Sequence, residues 1–180
     1  MYIKICSLKE LYSLMKMEKL NTDTSYAIIV ATETELRKKP LGNLRYLYAP
    51  FEDTEYGGGS LTPKIARKIV SYYDGIPADS CEILFLVCDA GQSRSAALAA
   101  ALLNAEGQDD IKSVWSNPRY NPNPLVYRLV LQVFGKRVSN AKIRRLVHIN
   151  DKARKKQIKQ RRRQQGGRGY GDDNYTQRWI

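Results

Sequence analysis

The sequence has few of the residues that metal centres and disulfide frameworks need. Its 180 residues include one histidine, His148, and three cysteines, Cys6, Cys81 and Cys88. An odd number of cysteines without metal-ligand spacing argues against both a disulfide framework and a zinc site. We therefore expect a protein without a metal or other cofactor, in the reducing environment of the cytoplasm, where a free thiol persists.

Long apolar runs are also absent. No run approaches the length of about 18 residues that indicates a membrane-spanning helix, so we expect no transmembrane segment. The first residues, 1–6, lack the apolar region of a signal peptide. Hydrophobic residues still make up 43% of the chain, which is enough for a folded core. The length fits one domain plus an appendage, and we place the domain at residues 1–138.

Acidic residues are nearly missing from one segment. Residues 136–163 contain 13 lysines and arginines but one acid, Asp151, and the whole net charge of +12 resides there. Apolar residues also become scarce after Asp151, which indicates a basic helical extension at 139–163 and a flexible tail at 164–180. Two interpretations stay open. The extension is a solvated helix, or residues 136–163 bind nucleic acid or another polyanion, such as an anionic membrane surface or an acidic partner.

The centre of the chain predicts a strand, a tight loop and a helix in succession. Residues 83–87 are wholly apolar, which is typical of a strand buried on both faces. Residues 96–103 are rich in alanine and leucine and predict a helix. The N–H groups of the loop and of the first helical turn lack intrahelical partners. Together with the helix dipole they form a nest for phosphoryl oxygens, and Gly91 supplies the backbone freedom.

The side chains of this loop form a set suited to phosphoryl transfer. The positive field at the loop favours the thiolate of Cys88, which is an in-line nucleophile for a bound phosphate. Arg94 can bind two phosphoryl oxygens and follow them into the transition state, which makes a metal ion unnecessary. Ser95 can donate a hydrogen bond to the sulfur of Cys88 and so stabilise this sulfur when it is the leaving group. The predicted phosphate-binding positions are Asp89, Ala90, Gly91, Gln92, Ser93 and Arg94.

The run Cys88-Asp-Ala-Gly-Gln-Ser-Arg94-Ser95 resembles the signature loop of the cysteine-dependent protein tyrosine and dual-specificity phosphatases, especially small bacterial and phage members. Those members also tend to carry an Asn-Pro-rich stretch and a Tyr-Arg pair after the loop, which here are residues 117–124 and Tyr127-Arg128. The resemblance covers about residues 26–134. One departure is Val87, since the family usually has a histidine before the cysteine. That histidine supports the loop and favours the thiolate.

Alternating strands and helices predict an α/β domain with a mainly parallel central sheet and helices on both faces. The resemblance implies the three-layer tyrosine-phosphatase-like fold, with the site at the carboxyl ends of the strands. Apolar patterns and caps predict strands at 2–6, 26–31 and 44–49, and helices at 8–20, 63–73 and 125–134.

A second informative stretch, residues 51–60, contains three consecutive glycines and therefore predicts a mobile loop. An acid on such a loop suits general acid catalysis upon loop closure. The resemblance implies an aspartate before the cysteine at about this distance, which favours Asp53, with Glu52 and Glu55 as rivals. The alternative is that these acids merely solvate the loop.

The Asn-Pro-rich stretch permits two interpretations. The resemblance implies that it packs near the signature loop, so that Arg119, Tyr120 and Asn121 line the pocket. The alternative is that these are turn residues and helix caps without a direct role.

These observations predict a phosphatase that hydrolyses phosphotyrosine, and phosphoserine or phosphothreonine as further substrates, in a phosphorylated protein. Cys88 attacks phosphorus, Arg94 and the loop hold the oxygens, and Asp53 protonates the leaving oxygen and later activates water. Two alternatives stay open: an RNA 5′-triphosphatase whose basic tail holds RNA, and a catalytically weak phosphate-binding module, which Val87 favours.

Overall fold

A sheet of parallel strands lies between two layers of helices in the computed structural model, which describes residues 1–16, 26–33, 46–55, 57–77 and 79–164. A π-helical turn, Ile111–Trp115, precedes the last two helices. The elements are β1 (Tyr2–Ser7), α1 (Leu8–Lys16), β2 (Tyr26–Val30), β3 (Tyr46–Tyr48), α2 (Pro63–Asp74), β4 (Ile83–Cys88), α3 (Arg94–Ala105), α4 (Pro124–Val133) and α5 (Asn140–Gln164).

Strand β4 is the centre of the sheet, as its apolar sequence predicts. The strand order in the described part of the chain is β1-β4-β2-β3, and every pair is parallel. Leu84 and Leu86 are buried in the core shared with α2, α3 and α4, whereas Phe85 and Val87 are buried with Leu11 of α1. Because successive side chains of a strand point to opposite faces, β4 supplies both cores at once. The predicted three-layer α/β fold is therefore confirmed.

Local signals in the sequence explain where the helices begin. The Ser7–Glu10 capping box forms at the start of α1, where the Glu10 amide donates to Ser7 Oγ at 3.1 Å and the Ser7 amide donates to Glu10 Oε2 at 2.6 Å. Thr62 caps α2 by accepting from the Ile65 amide at 3.3 Å, with Pro63 in the first turn. The described part of α1 ends at Lys16, so residues 17–20 of the predicted helix lie outside the described residues.

Helix α5 has a packed first half and an exposed second half. Ile143 and Leu146 are buried in the main core, and Asn150 is 2% exposed. The Asn150 side chain donates to the carbonyls of Trp115 and Tyr120, both at 3.0 Å. Beyond Asn150 most residues of α5 are exposed. The exposed half of α5 therefore extends from the domain beyond Asn150, whose side chain is held by these two hydrogen bonds.

Parts of two further sequence predictions lie outside the described residues. These are the first residues of the strand predicted at 44–49 and residues 165–180 of the predicted tail. Within the described ranges, no helix combines the length and the apolar character needed to cross a membrane.

Leu146 should contribute strongly to stability because it joins α5 to the core. We expect Leu146→Ala to lower the free energy of unfolding by about 2–4 kcal/mol, through lost burial and the cavity left behind. The matched control is Ile158→Ala in the same helix, because Ile158 is 51% exposed and should change stability by less than about 0.5 kcal/mol. Urea unfolding measures both, and equal losses would show that α5 does not pack on the domain.

Candidate active site

The loop between β4 and α3 is shaped by a close approach to the end of β1. Gly91 has φ +65°, and a Cβ placed on it would lie 2.5 Å from the Ser7 amide nitrogen and 2.6 Å from the Cys6 carbonyl carbon. Both the left-handed conformation and the lack of space exclude a side chain here. The loop also receives support from the Asn-Pro-rich stretch, because the Asn121 amide donates to the Gln92 carbonyl at 2.9 Å.

Cys88 and Ser95 contact each other inside this loop. Cys88 is the last residue of β4 and is 2% exposed, and its Sγ lies 3.0 Å from Ser95 Oγ. Ser95 is fully buried in the first turn of α3. The hydroxyl is thus within hydrogen-bonding distance of the sulfur.

Arg94 is a buried cation with one nitrogen that lacks a partner among the described residues. Its Nη1 donates to the Phe51 carbonyl at 2.7 Å, and its Nη2 forms an ion pair with Asp89. The Nε atom is buried and has no partner among the described residues. An unpaired buried donor is unfavourable unless a ligand accepts from it, and a phosphoryl oxygen is such an acceptor.

The side chain of Asp89 has a role that the sequence did not indicate. We predicted Asp89 only as one of the backbone positions of the nest. In the structure its carboxylate accepts from Thr32 Oγ1 at 2.7 Å and pairs with Arg94. Thr32 follows β2, 57 positions earlier in the chain, so no local pattern marks this contact.

Asp53 lies against the signature loop. Its Oδ1 accepts from Ser93 Oγ at 2.7 Å and from Asn123 Nδ2 at 3.0 Å. Glu52 instead folds back within its own loop, where its carboxyl group covers Gly59 and its amide donates to the Gly59 carbonyl at 2.7 Å. Glu55 is exposed. Of the three candidate acids, Asp53 is the one with hydrogen bonds to the signature loop.

Asn123 caps the start of α4 and also contacts Asp53. Its Oδ1 caps α4 by accepting from the amides of Leu125 and Val126, at 3.0 and 3.2 Å. The cap leaves the amide nitrogen free, and this nitrogen reaches Asp53. An asparagine cap, unlike an aspartate cap, retains donors for a second contact, and the choice of asparagine was the signal that the sequence offered.

The other residues of the Asn-Pro-rich stretch have separate partners. Arg119 donates to Glu10 Oε1 at 2.9 Å, with its guanidinium 5.9 Å from the centre of the Tyr120 ring. Asn121 meets the signature loop through its backbone. The stretch therefore joins α1 to the loop.

The Tyr-Arg pair after this stretch serves the scaffold. The buried Tyr127 hydroxyl donates to Asp110 Oδ2 at 2.8 Å, and burial and this carboxylate raise the pKa of Tyr127. Arg128 donates to Asn140 Oδ1 at 2.7 Å, at the start of α5.

Val87 and Cys6 belong to the apolar core between the sheet and α1. Val87 is fully buried and pairs in register with Cys6 of β1. Burial raises the pKa of the Cys6 thiol to about 12, so this cysteine stays protonated at neutral pH. No disulfide joins the three cysteines, and no group of metal-ligating side chains occurs in the described ranges.

Comparison with known proteins identifies the fold. No protein-family model matches the chain, and no curated protein matches its sequence. The chain is similar to a crystal structure of DUSP15, with a TM-score of 0.56 and 21% identity over 81% of this chain and 90% of that one. A structure of PTPMT1 gives a TM-score of 0.50 and 15% identity over 74% and 90%. This chain has the tyrosine-phosphatase-like fold of these structures. The resemblance carried by the signature loop is thereby confirmed at the level of the fold.

Gly91→Ala should destabilise this tyrosine-phosphatase-like fold more than a glycine replacement elsewhere. The matched control is Gly107→Ala, since Gly107 has φ +74° but open space around it. We expect about 1–2 kcal/mol of loss for Gly107→Ala from the left-handed conformation alone. Gly91→Ala should lose at least about 1 kcal/mol more, because its Cβ overlaps the backbone of β1. Thermal unfolding compares the two, and equal losses would mean that the loop can move away from β1.

Proposed function

We propose that this protein is a cysteine-dependent phosphatase that hydrolyses phosphotyrosine in proteins, and also phosphoserine or phosphothreonine, through a cysteinyl-phosphate intermediate. The fold and its neighbours support a phosphatase. The observation that carries the proposal is the pairing of a buried Cys88, 3.0 Å from the Ser95 hydroxyl, with a buried Arg94 whose Nε lacks a partner in the described structure. A phosphoryl group would satisfy that donor and the N–H groups of the loop.

In the first step, Cys88 Sγ attacks phosphorus as the bond to the leaving oxygen breaks. Arg94 and the amides of residues 89–94 hold the three remaining oxygens, whose charge grows in the transition state. Phe51 and Asp89 orient the guanidinium before the substrate arrives, so little reorganisation is needed. Ser95 stabilises the thiolate that leaves in the second step, when water attacks the cysteinyl-phosphate.

Asp53 is the proposed proton donor to the leaving oxygen, and afterwards the base that takes a proton from water. The two donors that contact it, Ser93 and Asn123, both bind Oδ1. Oδ2 is therefore the oxygen suited to carry the transferred proton. Because Ser93 belongs to the phosphate-binding loop, its hydrogen bond fixes the acid relative to the bound phosphate.

The proposal assigns the chemistry to residues 1–138 and the binding of a polyanion to the basic residues 136–163, in a cytoplasmic protein. The exposed, basic second half of α5 also favours a second candidate function, an RNA 5′-triphosphatase with the same Cys88 chemistry. A phosphate-binding module without turnover is the outcome if Val87 leaves the thiol unreactive.

Hydrolysis of aryl phosphates against pH tests the roles of Cys88 and Asp53. We expect Cys88→Ser to abolish turnover, because the nucleophile is lost. Asp53→Asn should lower kcat about 10²-fold or more and remove the fall in activity at high pH, since a general acid must be protonated. With an aryl group that leaves without a proton, such as dinitrophenol, the Asp53→Asn loss should become small.

The matched control for this prediction is Glu52→Gln, which removes the neighbouring carboxylate and should leave kcat nearly unchanged. A full loss with Glu52→Gln, or an Asp53→Asn loss that is the same for every leaving group, contradicts the assignment. Phosphate or vanadate binding without turnover in the unmodified protein would support the binding module instead.

Asn123→Asp tests the contact that orients Asp53. Aspartate keeps the acceptor that caps α4, so stability should change little. It also brings a second carboxylate beside Asp53, and like charge favours the protonated form of an acid. The high-pH fall in kcat should therefore move to higher pH. The measurement is the pH profile of kcat, and an unchanged profile would show that Asn123 serves only as a cap.

A further inference from the structure

Helix α5 presents one continuous line of positive charge, which we call the basic stripe. At 3.6 residues per turn, side chains spaced by three, four or seven positions share a face. Each member of the stripe is exposed. The stripe consists of Arg145, Lys152, Lys156, Lys159 and Arg163.

The basic stripe points away from the domain. The same helical periodicity places Ile143, Leu146 and Asn150, which pack on the domain, on the other side of α5. With a rise of 1.5 Å per residue, the stripe is about 27 Å long. Its members follow one another every three to seven residues. Arg144, Lys155 and Arg162 lie about a quarter turn to one side of it, and Arg154 and Arg161 lie on the opposite side of the helix.

Within the described part of the chain, no ion pair neutralises the charge of the stripe. Asp151 is the one acidic residue of α5. The ion pairs between described residues join Arg94 to Asp89 and Arg119 to Glu10, far from the stripe in the chain. An extended row of cations is electrostatically complementary to a partner with an extended row of anions.

We propose that the basic stripe binds the phosphate backbone of a nucleic acid along its length, without reading the base sequence. A nucleic acid strand carries one negative charge about every 3.4 Å, so a stripe of this length faces several phosphates at once. The proposal does not rest on the phosphatase activity, because no residue of the signature loop takes part in it.

The exposed half of α5 lacks what a membrane-binding helix needs. A helix that lies in a membrane interface buries an apolar face opposite its basic face. Here the remaining positions after residue 151 include Ala153 and three glutamines, and Ile158 is the one large apolar side chain. The charge distribution therefore favours nucleic acid over an anionic membrane surface.

The helix that carries the stripe is joined to the candidate active site by a short series of hydrogen bonds. Asn150 donates to the carbonyl of Tyr120, and the amide of the next residue, Asn121, donates to the Gln92 carbonyl of the signature loop. Helix α5 therefore contacts the same segment that supports the loop.

The test is fluorescence anisotropy with the full 180-residue chain and labelled 25-nucleotide single- and double-stranded DNA and RNA. One variant combines Lys152→Gln, Lys156→Gln and Lys159→Gln. The matched control combines Lys64→Gln, Arg67→Gln and Lys68→Gln, which removes three exposed positive charges from α2. Circular dichroism checks that both variants keep their helical content.

We expect the stripe variant to bind about 10–100-fold more weakly at 50 mM salt, and its dependence of log K on log salt to fall by about one unit per lost phosphate contact. The α2 variant should stay within about threefold of the unmodified protein, as expected for charges outside the contact. Cys88→Ser should bind nucleic acid normally, which separates this result from any failure of the phosphatase proposal.

Three outcomes would overturn the proposal. The first is equal weakening by the stripe and α2 variants, which would indicate a general effect of net charge. The second is an absence of nucleic acid binding at low salt. The third is tighter binding to vesicles containing phosphatidylserine than to any of the four nucleic acids, which would assign α5 to a membrane surface.

Discussion

The site depends on a cation held in the protein interior. Arg94 is 5% exposed, and a buried guanidinium is stable only when its donors are satisfied. Asp89 and the Phe51 carbonyl accept hydrogen bonds from two of its nitrogens. They so connect the signature loop to the start of the loop of residues 51–60, which carries Asp53 and which we call the acid loop. The third nitrogen, Nε, has no partner among the described residues. The fold therefore fixes the orientation of the arginine, and in the proposed function a phosphoryl oxygen accepts from Nε.

Asn123 couples the acid loop to the scaffold because both ends of its side-chain amide form hydrogen bonds. One end of its amide caps α4, and the other end holds Asp53, which also contacts Ser93. Asp53 is exposed and sits beside a run of glycines, so the chain around it supplies little rigidity of its own. Its position is set instead by two donors on different elements. This explains how a loop with a flexible sequence can present a carboxyl group at a defined place.

The parts of the site that lie close together in the chain could be predicted from sequence. Cys88, Arg94 and Ser95 are fixed by one strand, one loop and one helix, so their spacing determines their geometry. The contacts of Asp53 with Asn123, and of Asp89 with Thr32, join residues 70 and 57 positions apart. Such contacts depend on how the helices and the sheet pack, which no local pattern contains. The packing partners of Val87 could not be predicted from a local pattern either. Strand alternation predicts opposite faces for Val87 and Cys88, but only the packing against α1 shows what Val87 contacts.

Helix α5 belongs to the core and to the exposed surface at once. Its first turns bury Ile143 and Leu146, and Asn150 ends the packed part with two hydrogen bonds to the backbone of the domain. Because the helix continues without interruption to Gln164, the direction of its exposed half is determined by this packed half. A basic segment on a flexible linker would bind a polyanion in any orientation. A rigid helix anchored beside the segment that supports the signature loop would instead fix the direction of a bound polyanion relative to the proposed site, and so would link binding and chemistry geometrically.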